Sequence, residues 1–550
     1  MRIVRSGLLG ISMAALVACA SDPGPAPRPV AAAPVQPMGK PDLLVVISVD
    51  QLSSDLFEAY APHMSGGLAR LAQGTAFLNG FQAQAATETC PGHSTILTGS
   101  HPARTGIVAN DWYDPDAARE NKEIYCAEDA TLSDGNPYTV SAEHLLVPTL
   151  GERMKADDPR SRNVAVAGKD RSAVMMAGRD VDQRWYWGGE DFVTDTGAAP
   201  SATVAKINEA TRALVARGIP ALELPAHCAD WDRAYTVGTR GTVVGTGRLE
   251  IAPGDASNFR RHPAYDGAAL ALAAGLIGEM QLGRGEAPDI LSIGLAATDY
   301  VGHAYGNRGA EMCLQMAGLD RSLGDFLTRL DDSDLDYAVV LTADHGVLDV
   351  PPRLRAMGQE DASYVNMPEE FVARLEALKA QFEVERPVAY GGASGDQYLD
   401  PATYSTHGEA FRAAVMDLYR AHPQVAHVYT VEQIMAQPIP GGDPARWSML
   451  QRVRASTHPD RSGDFYVMLK DQVMPIVNPG GTYTATHGSA HDYDRRVPIL
   501  FWRKGMTSIA RPDSAMTVDI MPTLAAMIGL DVDANAIDGK CLGGVPGADC

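Results

Sequence analysis

The sequence predicts an α/β protein with a largely parallel central sheet, and three observations carry that expectation. Short, unbroken apolar runs rich in branched residues recur along the chain. A polar residue able to hold a metal or an anion follows each of the first four. Helical periodicity fills intervals between them. Strands buried on both faces of a parallel sheet read as continuous apolar runs rather than as alternation.

Leu43–Val49 is the first such run, and it closes at Asp50. Asn163–Ala167 is the second, with Lys169 and Arg171 just beyond it. Asp289–Leu295 precedes Asp299, and Tyr337–Thr342 precedes Asp344. A later strand is expected over Val497–Trp502. Apolar residues at helical spacing predict helices over Cys313–Leu330 and Asp519–Ile528. Two long stretches, about 185–288 and about 350–480, separate these pieces and are rich in Gly and Pro. They are expected to be insertions that cap the sheet edge, because strand-end residues lie on both sides of each. Residues 42–550 therefore read as one catalytic domain interrupted twice.

Composition excludes some functions. The 550 residues carry a formal net charge of −22, with 45% apolar and 21% charged residues. A general binder of nucleic-acid backbone needs the opposite balance. A small anionic substrate remains compatible, since local cations or metals can hold it.

Arg2 and Arg5 precede the short apolar run Leu8 to Val17, which is the pattern of a signal peptide. Leu16-Val17-Ala18-Cys19 resembles a bacterial lipobox. The expectation is a signal at 1–18, a lipid on Cys19 and a Pro/Ala-rich tether over 19–41. Export to the periplasm follows, and Ala20 after Cys19 favours the outer membrane. Six cysteines remain beyond Cys19, which allows fifteen pairings. Cys541 with Cys550 is the expected bridge, and Cys90 reads as a buried thiol.

Three short pieces have metal-ligand character, Asp50, Asp299-Tyr300-Val301-Gly302-His303 and Asp344-His345-Gly346, and a later His487-Gly488-Ser489 supplies another imidazole. On a helix, Asp299 and His303 would share a face. Alone, each has a plainer reading as a helix cap, a surface pair or a turn. Recurrence at strand ends, where open α/β sheets bind ligands, favours a metal site. Mixed Asp/His ligation suits zinc, with iron or manganese open. Within Thr87-Glu88-Thr89-Cys90-Pro91-Gly92-His93-Ser94, a stiff Pro-Gly turn is expected to present Thr89 at a helix start. Backbone N–H groups there favour anions, although Thr is also an ordinary cap.

Together, Asp50, the Thr89-to-His93 turn, Asp299…His303, Asp344-His345 and His487-Gly488 resemble the alkaline phosphatase superfamily. The likeness is to its threonine-nucleophile branch, which is related to nucleotide pyrophosphatase/phosphodiesterases. Gly106 to Tyr113 and Gly168-Lys169-Asp170-Arg171 narrow it to PafA-type (PhoK-like) alkaline phosphatases. That resemblance implies a three-layer α/β/α core and two zinc ions. Asp299, His303 and His487 would hold one ion, with His491 the alternative to His487. Asp50, Asp344 and His345 would hold the other, which also binds the Thr89 oxygen. Asn110, Lys169 and Arg171 would contact the phosphoryl oxygens. In an extended segment, the spacing of Lys169 and Arg171 puts both on one face.

The implied activity is hydrolysis of small phosphate monoesters through a phosphothreonine, by a monomer. Two zinc ions offset three aspartates and a Thr89 alkoxide, leaving Lys169 and Arg171 to match a monoester dianion. A diesterase or nucleotide pyrophosphatase of the same fold is the alternative. A sulfatase would need a Cys/Ser-x-Pro-x-Arg nucleophile motif. A non-catalytic metal-binding lipoprotein would tolerate loss of Thr89.

Overall fold

The computed structural model describes residues 38–132 and 137–550, so the expected signal peptide, Cys19 and most of the tether lie outside the described residues. A ten-stranded sheet organises the described chain. From one edge its order is Ile509–Arg511, Thr75–Phe81, Arg496–Arg503, Tyr337–Thr342, Leu43–Val49, Asp289–Leu295, Asn163–Ala167, Gln183–Trp187 and Phe192–Val193. Ala515–Met516 pairs with Thr75–Phe81. The five strands from 337–342 to 183–187 are mutually parallel. The 496–503 strand is antiparallel to both of its neighbours.

Strand 43–49 shows how the sequence generates three layers. Successive side chains of a strand point to opposite faces. Leu43, Val45, Ile47 and Val49 enter one core, with Leu272 and Leu276 of helix Pro263–Met280 and Leu319 and Leu323 of helix Ala310–Asp331. Leu44 and Val46 enter the other, with Ile96 and Leu97 of helix Thr89–Thr98 and Leu524 of helix Ile520–Ile528. All seven residues of the strand are buried. Each such aliphatic side chain contributes about 1.5–3 kcal/mol relative to exposure.

The structure draws the first expected insertion differently. Gln183–Trp187 is a strand of the main sheet, parallel to Asn163–Ala167. Trp187 packs against Phe192, Phe259 and Tyr265. Helix 263–280 belongs to the layer over the sheet, and helix Ala202–Arg217 packs on it. The aromatic run Trp185-Tyr186-Trp187 is thus not part of a cap: its β-prone residues serve the sheet near its edge. The stretch about 350–480 carries a second, four-stranded sheet in the order Val388–Gly391, Asp396–Leu399, Phe465–Leu469, Val425–Thr430. Phe371, Phe411, Val415 and Phe465 give it a separate core.

Three disulfides join Cys90 to Cys126, Cys228 to Cys313 and Cys541 to Cys550. Cys90 is therefore not a thiol. Its partner is 36 residues away in sequence, a pairing that spacing alone does not select.

Candidate active site

Four adjacent parallel strands deliver the polar residues to one edge. In spatial order, the strands ending at Thr342, Val49, Leu295 and Ala167 are followed by Asp344-His345, Asp50, Asp299 and Lys169. The antiparallel 496–503 strand starts at this same edge, since Leu341 pairs with Leu500 and Ala338 with Arg503. It thereby brings the preceding His487 to the site. Thr75–Phe81 also ends here, and Thr89 follows it.

Asp50, Asp299 and Asp344 are all essentially fully buried. Lys169 Nζ lies 2.7 Å from Asp50 Oδ2 and 2.6 Å from Asp299 Oδ2, with 2% of its side chain exposed. Burial alone would favour the neutral amine, but Asp299 and Asp50 outweigh it and hold the lysine protonated. Burial, with the carboxylates of Asp299 and Asp344, pushes Asp50 well above the usual carboxylate range. Asp299 moves the other way: burial would raise it, but His303 and Lys169 hold it well below that range. Asp344 is also held low, against burial, by His345 and His93. A single ammonium among three buried carboxylates leaves the cluster short of positive charge.

The imidazoles sharpen this. Nδ1 of His303 is 2.8 Å from the Ala485 carbonyl, that of His345 3.0 Å from the Gly346 carbonyl, and that of His487 2.7 Å from the Thr87 carbonyl. A carbonyl only accepts, so each Nδ1 carries hydrogen and each neutral ring presents the Nε2 lone pair. Those Nε2 atoms face carboxylates. His303 Nε2 is 3.2 Å and His487 Nε2 3.6 Å from Asp299 Oδ1. His345 Nε2 is 3.3 Å from Asp344 Oδ2 and 3.5 Å from Asp50 Oδ1. Burial holds His487 well below its ordinary pKa, aided by His345 and His303, and burial also lowers His345. For these two rings, acceptor then faces acceptor, an arrangement a cation between them would satisfy. Asp50 Oδ1, Asp344 Oδ2 and His345 Nε2 are buried without a hydrogen-bond partner among the described residues, and Asp50 Oδ2 has only the ion pair with Lys169.

Two sets of ligand atoms converge, each within 4.8 Å of one another: Asp50, Asp344 and His345, and Asp299, His345 and His487. The first has the same members as the set that the family resemblance implies. In the second, His345 stands where His303 was expected, and its ring stacks on His487 with centroids 3.5 Å apart. His303 stays beside it, 3.2 Å from Asp299. This donor set fits a divalent transition metal. His491 belongs to neither set; its Nε2 is 3.0 Å from the Leu469 carbonyl.

Thr89 is the first residue of helix 89–98, after Glu88 at the cap position, and is 1% exposed. Pro91 and Gly92 continue that first helical turn rather than forming a separate one. The fit is tight, because a Cβ on Gly92 would sit 2.1 Å from the Asp344 carbonyl oxygen. Arg171 Nη2 is 3.5 Å from Thr89 Oγ1, and Arg171 Nε is buried without a partner among the described residues. Asn110 Oδ1 accepts the Cys90 N–H at 2.8 Å, so its side-chain NH2 is the end available for donation. The extended-segment argument for Lys169 and Arg171 does not hold. Lys169 caps helix Asp170–Ala177 and Arg171 lies in its first turn. Their contacts diverge accordingly, Lys169 toward Asp50 and Asp299, Arg171 toward Thr89.

Several supporting residues carried no role in the sequence reading. Gln51, at φ 70°, donates its side-chain amide to Asp299 at 2.7 Å and its backbone N–H to Asp344 at 3.1 Å. Asp266 accepts the N–H groups of Ala296 and Ala297, fixing the start of helix Ala297–Tyr305 that bears Asp299 and His303. His93 Nδ1 lies 2.8 Å from the Thr89 carbonyl and 3.2 Å from Asp344 Oδ2. Asp494 accepts from Gly346 N through its backbone and from Ser489 N through its carboxylate, joining the loops of His345 and His487. Gln51 and His93 adjoin or sit within quoted motifs. Asp266 and Asp494 had no signal beyond being acidic.

Sheet order, buried Asp/His cluster and helix-borne hydroxyl together define a metal-assisted hydrolase built on an α/β sheet. Comparison with known proteins narrows the class. The chain belongs to the type I phosphodiesterase / nucleotide pyrophosphatase family, which it matches over residues 44–494, within the alkaline phosphatase superfamily. It is 47% identical to alkaline phosphatase PhoK of Sphingomonas sp over 95% of this chain and 93% of that one. Identity to alkaline phosphatase PhoD of Zymomonas mobilis is 43%, over 91% and 87%. The crystal structure of alkaline phosphatase PafA superposes with a TM-score of 0.79 at 26% identity, covering 92% of this chain and 99% of that one.

Proposed function

We propose that this protein is an alkaline phosphatase that hydrolyses small phosphate monoesters through a phosphothreonine on Thr89. The reading rests on the relatives named alkaline phosphatases and, above all, on one observation. Thr89 Oγ1 lies 3.5 Å from Arg171 on a helix whose Gly92 packs against Asp344 of a buried Asp/His cluster, where one ammonium, Lys169, faces two of three carboxylates.

In this reading Asp50, Asp344 and His345 hold one zinc ion, and Asp299, His303 and His487 hold a second. Two such ions, when bound, would supply Lewis-acid chemistry that lowers the pKa of a hydroxyl and offsets negative charge on the reacting oxygens. Thr89 Oγ1 attacks phosphorus, the P–O bond to the alcohol breaks, and the alcohol oxygen leaves with a proton. Water then cleaves the phosphothreonine, releasing inorganic phosphate and restoring the hydroxyl. Arg171, Lys169 and the Asn110 amide supply charge and donors to the phosphoryl oxygens; positioning and charge stabilisation are most of what phosphoryl transfer needs. The protein acts as an exported periplasmic monomer, tethered through a lipid on Cys19.

An aryl phosphate and an aryl methyl phosphodiester, assayed on zinc-defined protein beside Thr89→Ala, test the reading. The expected result is a monoester preference, abolished in Thr89→Ala. A diester preference in the wild-type enzyme overturns it in favour of the diesterase alternative, and full activity in Thr89→Ala overturns the nucleophile.

A further inference from the structure

Glu88 is an unusual residue for its place. It occupies the cap position of the nucleophile helix, where Ser, Thr, Asp or Asn are favoured, yet its side chain makes no capping bond to that helix. It is 3% exposed. Its two oxygens are committed elsewhere. Oε2 accepts the backbone N–H of Asn110 at 3.0 Å, and Oε1 accepts the hydroxyl of Ser394 at 2.6 Å.

Asn110 is thereby held at three points. Its N–H is taken by Glu88, its side-chain oxygen by Cys90 N–H at 2.8 Å, and its backbone carbonyl by Cys126 N–H at 2.9 Å. Cys90 and Cys126 are joined by a disulfide. Glu88, Thr89, Cys90 and Asn110 thus form one closed unit, with the amide NH2 left to donate.

Ser394 comes from far away in sequence. It sits in the turn between Val388–Gly391 and Asp396–Leu399 of the second sheet, before Gly395 at φ 97°. The same turn lies against the loop of His487, since a Cβ on Gly488 would be 3.2 Å from the Ala393 carbonyl. The inserted sheet therefore reaches the nucleophile helix through one named hydroxyl–carboxylate contact.

We propose that Glu88, locked by Ser394 of the inserted sheet, is a positioning residue that sets Asn110 against Thr89 for phosphoryl binding. This rests on the phosphatase reading above. Glu88 touches neither Thr89 Oγ1 nor any residue of the two ligand sets; it acts through Asn110. Short hydrogen bonds to a buried carboxylate are worth more than neutral ones, and removing the one from Ser394 loosens Glu88 and with it one of the three points that hold Asn110.

The test is a double-mutant cycle on the full-length, zinc-loaded chain, using Ser394→Ala, Asn110→Ala and the pair. Both aryl phosphate turnover and inorganic phosphate affinity are read. Ser394→Ala should lower kcat/KM about tenfold with wild-type thermal unfolding, and Ser394→Thr, which keeps the hydroxyl, should restore most of it. In the Asn110→Ala background the Ser394→Ala loss should disappear, because the residue through which it acts is gone. Glu88→Gln, nearly isosteric, should reproduce the Ser394→Ala pattern. Equal losses in both backgrounds, or losses that track unfolding temperature, overturn the proposal. Should the wild-type enzyme not hydrolyse the aryl phosphate, the phosphatase reading falls. The phosphate-affinity arm still decides the positioning role: additive losses of affinity refute it, and non-additive losses support it.

Discussion

Arg171 and Lys169 are two residues apart, yet the structure divides their work, and substituting each separately should expose the division. Arg171 Nη2 is 3.5 Å from Thr89 Oγ1, so oxygens of a phosphoryl group at Thr89 stand at about 4 Å from the guanidinium. At that separation and an effective dielectric near 20, one unit of charge is worth about 4 kcal/mol. Partial solvent access reduces this to about 2–4 kcal/mol. A monoester carries close to one more negative charge than a diester. Arg171→Ala should therefore lower the ratio of monoester to diester kcat/KM by about 30- to 1000-fold. Arg171→Lys should recover part of it, keeping the charge but losing the planar fork. Lys169 bonds the carboxylates of Asp50 and Asp299, so Lys169→Ala should alter zinc affinity as well as turnover. The assay is steady-state hydrolysis of matched aryl phosphate and aryl methyl phosphate substrates at fixed free zinc. A ratio that moves less than about threefold in Arg171→Ala would refute the charge-matching argument.

Other expectations follow from the same geometry. Acid-quenched protein should carry one phosphate on the peptide containing Thr89, and Thr89→Ala should carry none by mass spectrometry. Chelation should abolish activity and lower the unfolding temperature, because only Lys169 then offsets three buried carboxylates, and zinc should restore both. Converting Cys90 and Cys126 to Ser should cost about 3–4 kcal/mol from the 36-residue separation, read by denaturant unfolding, and should weaken inorganic phosphate binding by loosening Asn110. Burial raises the Asp494 carboxyl to about 8, against the hydrogen bonds from Ser489. A folded-state pKa above the unfolded one gives stability that is complete below about pH 4 and is lost as pH rises through 8. Asp494→Asn should remove that loss, so the wild-type and variant curves from metal-free denaturation at pH 5, 7 and 9 should separate in slope; parallel curves would contradict the assignment.

The strands were legible because burial on both faces leaves only one composition, and Leu43–Val49, Asn163–Ala167, Asp289–Leu295 and Tyr337–Thr342 have it. Gln183–Trp187 was not legible, since a strand next to the sheet edge made of Gln, Arg and aromatics looks like a surface cluster until its neighbours are known. The ligand residues stood out because Asp and His recur just past several buried strands, although each alone reads equally as a cap, a surface pair or a turn. Their supports did not stand out. Asp266 lies early in helix 263–280, and its role depends on Ala296 and Ala297, some thirty residues on. The Cys90–Cys126 bridge was equally hidden, because proximity of a helix start and a hairpin is a tertiary fact. Lys169 and Arg171 were identified by type but given the wrong local geometry, as a helix begins between them.

The order of the strands explains why motifs scattered over more than four hundred residues make one site. In sequence the polar ends run Asp50, Lys169, Asp299, Asp344; in space they run Asp344, Asp50, Asp299, Lys169. A parallel sheet puts every C-terminal end on the same edge, so this permutation costs nothing in geometry and sets which charges are neighbours. Asp50 lies between Asp344 and Asp299, and Lys169 reaches both Asp50 and Asp299. Burial, and then the flanking carboxylates of Asp299 and Asp344, push Asp50 high, while against their own burial Asp299 is held low by His303 and Lys169 and Asp344 by His345 and His93. The antiparallel 496–503 strand then closes the cluster with His487 from the opposite chain direction. Reversing that strand would carry His487 to the far end of the sheet, so the direction of this one strand, antiparallel to both of its neighbours, is what brings His487 to the cluster.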